Sequence, residues 1–201
     1  MLTTIADHIK THRHQLRQHL LYVGSGVVVP PSEKSIEALI SNMAVKWAGD
    51  AVANTPQELR GGEALTMLAK SIPDHAQRCR MLASELSECR PAEGHIRLAR
   101  MVADGYFSTI FLAEPDRLLE EALQVHHLHP EKDYHHLVAG VDDPETIRIA
   151  VEESSRMAIV KCAGDVESKF LPLTRVELEN AYAAIDTIIA HAFKVFSVIV
   201  A

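Results

Sequence analysis

The sequence lacks the features that crosslink or anchor a small protein. It holds three cysteines, Cys79, Cys89 and Cys162, and no CxxC pair, which excludes a disulfide framework and a four-cysteine zinc ribbon. The first thirty residues contain no signal-peptide core. Its most apolar stretch, residues 192–201, is interrupted by Lys194 and is shorter than the roughly 18 residues that a membrane span needs. We therefore expect a cytoplasmic protein with no membrane partner and no structural metal.

Aromatic residues and positive charge are also scarce. Aromatics make up 5% of the 201 residues, and Ala, Leu, Ile and Val carry the apolar content, which favours helical or α/β packing over a β-sandwich. The formal net charge is −7. Because phosphate contacts need clustered Lys and Arg, this balance excludes a generic nucleic-acid partner. The length is typical of a single domain, which we place at residues 1–201.

Four short apolar runs predict β-strands, and helical patterns separate them. The runs cover residues 20–23, 107–113, 157–162 and 195–201. Nearly continuous apolar strands are typical of a parallel sheet covered on both faces, so the fold class is α/β, a three-layer Rossmann-like parallel sheet. The helices predicted between residues 32 and 105 are too many for one crossover and indicate a helical insertion. The predicted sheet core is Leu21, Val23, Ile110, Leu112, Ile159, Val160, Val198 and Val200.

The first candidate site is the turn Gly24-Ser25-Gly26, which follows the first strand. Ligands of open α/β folds bind beyond the carboxyl ends of the strands, and glycines there let the backbone approach a phosphate. The turn lacks the third glycine of a dinucleotide fingerprint, and the sequence has no Walker lysine. The alternatives are therefore a nucleotide-binding loop and a merely structural turn.

The second candidate site is the pair Glu114 and Asp116, at the end of the run 107–113. Two carboxyl groups at a strand end can serve as general acid and base. The alternative is that they cap the helix predicted to begin at Pro115 and complement its dipole. Taken alone, the pair favours the capping role.

A third feature is the histidine-rich segment 126–136. Several histidines in one segment can bind a metal, but no His-x3-His pair with a glutamate base is present. We interpret the segment as an irregular, solvated loop. Its histidines are His126, His127, His129, His135 and His136.

The order of these pieces resembles the sirtuin-like NAD-binding family. The similar segments are residues 21–27, 93–110, 116–123, 159–165, 172–178 and 196–201. The missing CxxC pairs match the bacterial members that lack the zinc module. The resemblance implies an N-terminal domain of a larger signalling or antiviral-defence protein, with fused or partner domains beyond Ala201. Such domains are NAD hydrolases that cleave the bond between nicotinamide and ribose. Whether this chain self-associates as a homo-oligomer stays open.

The chain departs from the family pattern at its reaction centre. The position of the family's asparagine falls on Glu114, that of its histidine on Ala163, and that of a serine on Val28. The loop glycines and Asp116 are retained, so Gly24, Ser25, Gly26 and Asp116 are the expected cofactor contacts. The resemblance thus implies a pseudoenzyme: a degenerate NAD- or ADP-ribose-binding or scaffold domain. The alternatives are an active NAD glycohydrolase using Glu114 and Asp116, and an assembly module with no ligand.

Overall fold

The chain forms one five-stranded, fully parallel sheet. The structure is a computed structural model that describes residues 19–23, 46, 60–87 and 89–200. Its sheet has the order β3-β4-β2-β1-β5. Each neighbouring pair is parallel, which confirms the predicted Rossmann-like α/β class. The strands are β1 (His19–Val23), β2 (Thr109–Leu112), β3 (Tyr134–Val138), β4 (Met157–Lys161) and β5 (Ser197–Val200).

Helices flank the strands, and several begin at side chains that accept from free backbone N–H groups. Asp74 accepts from Ala76 and Gln77, and Thr174 forms a reciprocal capping box with Glu177. Within the described residues, no helix is both long and apolar enough to cross a membrane. The helices are α1 (Arg60–Ser71), α2 (His75–Leu86), α3 (Glu93–Ala103), α4 (Leu118–Val125), α5 (Pro144–Glu152), α6 (Arg175–Ala183) and α7 (Asp186–Val195).

Two helical layers cover the sheet. Helices α3 and α4 pack on one face, and α5 and α7 pack on the other. Successive side chains of a strand point to opposite faces, so each apolar strand feeds both cores. Six of the predicted core residues are confirmed as buried, while the side chains of Val198 and Val200 lie outside the described residues. The confirmed six are Leu21, Val23, Ile110, Leu112, Ile159 and Val160.

The histidine-rich segment is a correction to the sequence-based interpretation. Residues 134–138 form the edge strand β3, paired with β4 from Tyr134–Met157 to Val138–Lys161, rather than part of a solvated loop. The sequence YHHLV hides the strand because two histidines interrupt its apolar residues. Pairing with the buried strand β4 supplies the stability that the local pattern does not indicate.

Helices α1 and α2 build a separate apolar cluster beside the sheet. Their buried residues pack with Leu171 and Leu173, in the segment between β4 and α6. Helix α3, which falls within the predicted insertion 32–105, instead packs on the sheet as part of a covering layer. The extent of the insertion stays a prediction.

Candidate functional site

The carboxyl ends of the adjacent strands β2 and β4 form the switch point of the sheet. From β2 the chain continues into α4 on one face; from β4 it continues towards α6 and α7, and α7 packs on the other face. Right-handed crossovers require this divergence when successive connections run in opposite directions across a sheet. Ligands of open α/β sheets bind at such a point.

Lys161 lies at the centre of the charged groups gathered there. It is the last residue of β4 and is completely buried on the α4 face. Its ammonium donates to Glu120 Oε1 at 3.0 Å and to the backbone carbonyl of Asp116, and it lies 3.5 Å from Asp165 Oδ1. One cation therefore connects β4, α4 and the loops that follow β2 and β4.

Mutual attraction keeps this buried pair charged. Burial alone would lower the pKa of Lys161, but the carboxylates of Glu120, Asp116 and Asp165 outweigh burial and raise it. Burial likewise favours the neutral form of Glu120. Lys161 and then His136, whose Nε2 is 3.2 Å from Glu120 Oε1, reverse that effect and lower the pKa of Glu120 to about 2.

Asp116 combines a capping role with a perturbed carboxyl group. Its Oδ1 accepts from the backbone N–H of Leu118 at 2.8 Å, at the start of α4, as the capping alternative predicts. Its Oδ2 is buried and has no hydrogen-bond partner. Burial raises the pKa of Asp116 to about 6, against the attraction of Lys161. Its carboxyl group therefore titrates in a range suited to proton transfer.

Glu114 is buried beneath the first turn of α3, where it faces His95. The Nδ1 atom of His95 accepts from the backbone N–H of Ala92 at 3.1 Å, which places the proton of a neutral ring on Nε2. That Nε2 lies 3.8 Å from Glu114 Oε2, and both side chains are almost inaccessible to solvent. The pair is built into the interior of the protein.

A tight turn after β4 positions Asp165. Gly164 has a φ of +91°, and a Cβ there would lie 2.4 Å from the carbonyl oxygen of Phe170. Asp165 pairs with Phe170 through two backbone hydrogen bonds, and its Oδ2 accepts from the N–H of Ser168 at 2.7 Å. The glycine lets the chain close on itself, which carries the Asp165 carboxylate to Lys161.

The structure brings part of the predicted site together. Glu114 and Asp116 both lie at the carboxyl end of β2 and are buried, and Glu114 contributes to the raised pKa of Asp116. Ala163 is half-buried on the bend that follows β4. The predicted cofactor loop Gly24-Ser25-Gly26, like Val28, lies outside the described residues.

Sequence reasoning missed the residues that partner the predicted carboxyl groups. One signal was present: Lys161 ends an otherwise apolar strand, where a charged side chain needs a buried partner. The partners lie far from it in sequence, so no local motif identifies them. The missed residues are His95, Glu120, Lys161 and Asp165, while His136 was considered as a metal ligand and set aside with the histidine-rich segment.

No protein-family model matches the sequence, and comparison with curated proteins finds no significant match. The sirtuin-like resemblance therefore stays a hypothesis carried by the motifs and by their order.

Proposed function

We propose that this chain is a sirtuin-like domain that binds NAD or ADP-ribose at the carboxyl edge of its sheet without cleaving NAD. One observation carries the proposal: the charged groups at the switch point are buried and engaged with one another, with Lys161 held by Glu120 at 3.0 Å. The carboxyl edge of the parallel sheet is where nucleotides bind in such folds. The acidic side chains near that edge make contacts inside the protein instead. We place this domain in a cytoplasmic signalling or defence protein.

The positions expected to carry out cleavage are poorly suited to it. Breaking the bond between nicotinamide and ribose develops positive charge on the sugar, which a facing carboxylate stabilises, and the attacking water needs a positioned acid–base group. Ala163 offers no titratable atom. Glu114 is buried against His95, with its Oε2 3.8 Å from Nε2 of the imidazole ring. The carboxyl edge of the sheet can therefore hold NAD, but it offers little acid–base chemistry to activate a water for cleavage.

One observation favours the second candidate, an active NAD glycohydrolase. The pKa of Asp116 is raised to about 6, and its Oδ2 has no hydrogen-bond partner. A carboxyl group in that state can exchange a proton near neutral pH. If the chain cleaves NAD, Asp116 is the residue on which we expect the reaction to depend.

Two measurements on the purified chain separate these functions. Melting temperature with and without NAD or ADP-ribose reports binding, and chromatographic detection of nicotinamide reports cleavage. We expect a melting shift and no nicotinamide from the wild type. Rapid nicotinamide release would refute the proposal, and no shift with either nucleotide would favour the ligand-free assembly module.

A double variant tests the assignment of the altered positions. Ala163→His with Glu114→Asn restores the two family residues, and we expect slow nicotinamide release from it alone. Ala163→His with Glu121→Asn is the matched control, because Glu121 is an exposed residue of α4. Activity in the control as well would show that Glu114 is not the limiting position.

A further inference from the structure

Three side chains from separate elements converge beside Lys161. They are Glu120 of α4, His136 of β3 and Asp165 of the turn after β4, and their ligand atoms all lie within 4.8 Å of one another. We propose that they bind one divalent transition-metal ion, with Zn²⁺ as the first candidate. The ion would join the edge strand β3 to α4 and to the turn at Asp165.

Unsatisfied buried oxygens support the site. Glu120 Oε2 and Asp165 Oδ1 are inaccessible to solvent and have no hydrogen-bond partner, although both side chains are at least nine-tenths buried. Buried carboxylate oxygens without partners are rare, because water removed from them must be replaced. Asp165 Oδ1 lies 3.5 Å from the Lys161 ammonium without a hydrogen bond to it, and a metal ion bound between the two oxygens would satisfy both.

The charge balance leads to the same conclusion. Three carboxylates, those of Asp116, Glu120 and Asp165, surround the single ammonium of Lys161. The carboxylates outnumber the ammonium, so a further cation beside them is electrostatically favoured. Glu120 has an oxygen for each cation: Oε1 already accepts from Lys161 at 3.0 Å, and Oε2 is available for the metal.

The donor set selects the kind of ion. One imidazole nitrogen with two carboxylate oxygens suits Zn²⁺ and related first-row ions, whereas Ca²⁺ and Mg²⁺ prefer oxygen ligands throughout. Binding requires His136 Nε2 to exchange its 3.2 Å contact with Glu120 for the metal. The His136 side chain is 16% exposed, so an ion has a route from solvent.

Calorimetric titration of the chelator-treated, dialysed chain with Zn²⁺ tests the proposal, and the visible spectrum with Co²⁺ reports the ligands. We expect one equivalent to bind, with a rise in melting temperature. His136→Ala should weaken that binding at least tenfold, as should Glu120→Gln. His135→Ala is the matched control: the adjacent histidine contacts Ser154 Oγ at 2.9 Å, and its replacement should leave affinity unchanged.

A His127→Ala, His129→Ala variant controls for metal binding by the exposed histidines of the same segment. We expect it to retain the stoichiometric site. Equal affinity in the wild type and in His136→Ala, or loss of binding only when His127 and His129 are replaced, would overturn the proposal, as would no binding by the wild type. His136 is on the edge strand and partly exposed, so its variant decides the question even if Glu120→Gln fails to fold.

Discussion

Arg78 and Glu177 form a partly buried ion pair that ties the helices α1 and α2 to the start of α6. The guanidinium is 1% exposed, and its Nη1 lies 2.9 and 3.1 Å from the two carboxylate oxygens. Its N–H groups also donate to the carbonyls of Ile72 and Ala69, at the end of α1, and of Leu171. One side chain therefore closes a helix end and joins two segments distant in sequence.

Replacing Arg78 should destabilise the fold strongly. Arg78→Met removes the partner of a carboxylate and leaves three buried carbonyls without a donor, so we expect a loss of about 3–5 kcal/mol in the free energy of unfolding. Arg78→Lys should recover only part of it, because an ammonium cannot reproduce the planar fork of donors. Urea denaturation measures both.

Arg80→Met is the matched control for this prediction. Arg80 lies on the same helix, its side chain is 69% exposed, and its nearest carboxylate is 3.9 Å away. We expect a change below about 0.5 kcal/mol. Similar losses for the two variants would show that Arg78 acts only through helix propensity.

Lys161→Met should cost stability in a way that depends on pH. Without the ammonium, the carboxylates of Glu120 and Asp165 lose their buried counter-charge, and we expect a loss of about 3–5 kcal/mol at pH 8. The loss should shrink towards pH 5, because carboxyls without the cation take up protons at higher pH. Urea denaturation at both pH values measures it, with the exposed Lys132→Met as control. A loss that is equal at both pH values would contradict the charge-based account.

Asp116 should make the wild type less stable as pH rises. Its pKa increases from 3.8 to about 6 on folding, so the folded state favours the protonated form. That contribution is complete below pH 4 and is lost as pH rises through 6. Asp116→Asn retains the oxygen that accepts from Leu118. Relative to the wild type, we therefore expect the variant to gain on the order of 2 kcal/mol between pH 4 and pH 7.5. Thermal unfolding across that range checks it, and a pH-independent difference would contradict it.

The sequence predicted the fold better than the site, for a physical reason. Strands such as β4 bury both faces, so their apolar runs are visible locally. The carboxyl groups around Lys161 come from α4 and from the loops after β2 and β4, which only strand order brings together. β3 was missed because its stability comes from pairing with β4, a long-range contact that no window of sequence contains.

Gly164 offers a prediction about how the turn supports the site. Alanine at this position would hold a left-handed φ of +91° and would place its Cβ 2.4 Å from the carbonyl oxygen of Phe170 and 2.6 Å from Pro172. Non-bonded heavy atoms do not approach one another this closely, so the turn must move to make room for the Cβ. We expect Gly164→Ala to lower the free energy of unfolding by about 2–5 kcal/mol, combining backbone strain with overpacking.

Gly105→Ala separates the two causes. Gly105 also has a positive φ, +75°, but a Cβ there would meet nothing within 4 Å. Gly105→Ala should therefore lower the free energy of unfolding only by the backbone strain, about 1–2 kcal/mol. The carbonyl that Gly164→Ala would displace accepts from the N–H of Asp165, so this variant alone should also shift Asp165 away from Lys161. Chemical denaturation gives the two free energies, and Zn²⁺ affinity reports the shift. Equal losses with unchanged affinity would mean that close packing at Gly164 does not position Asp165.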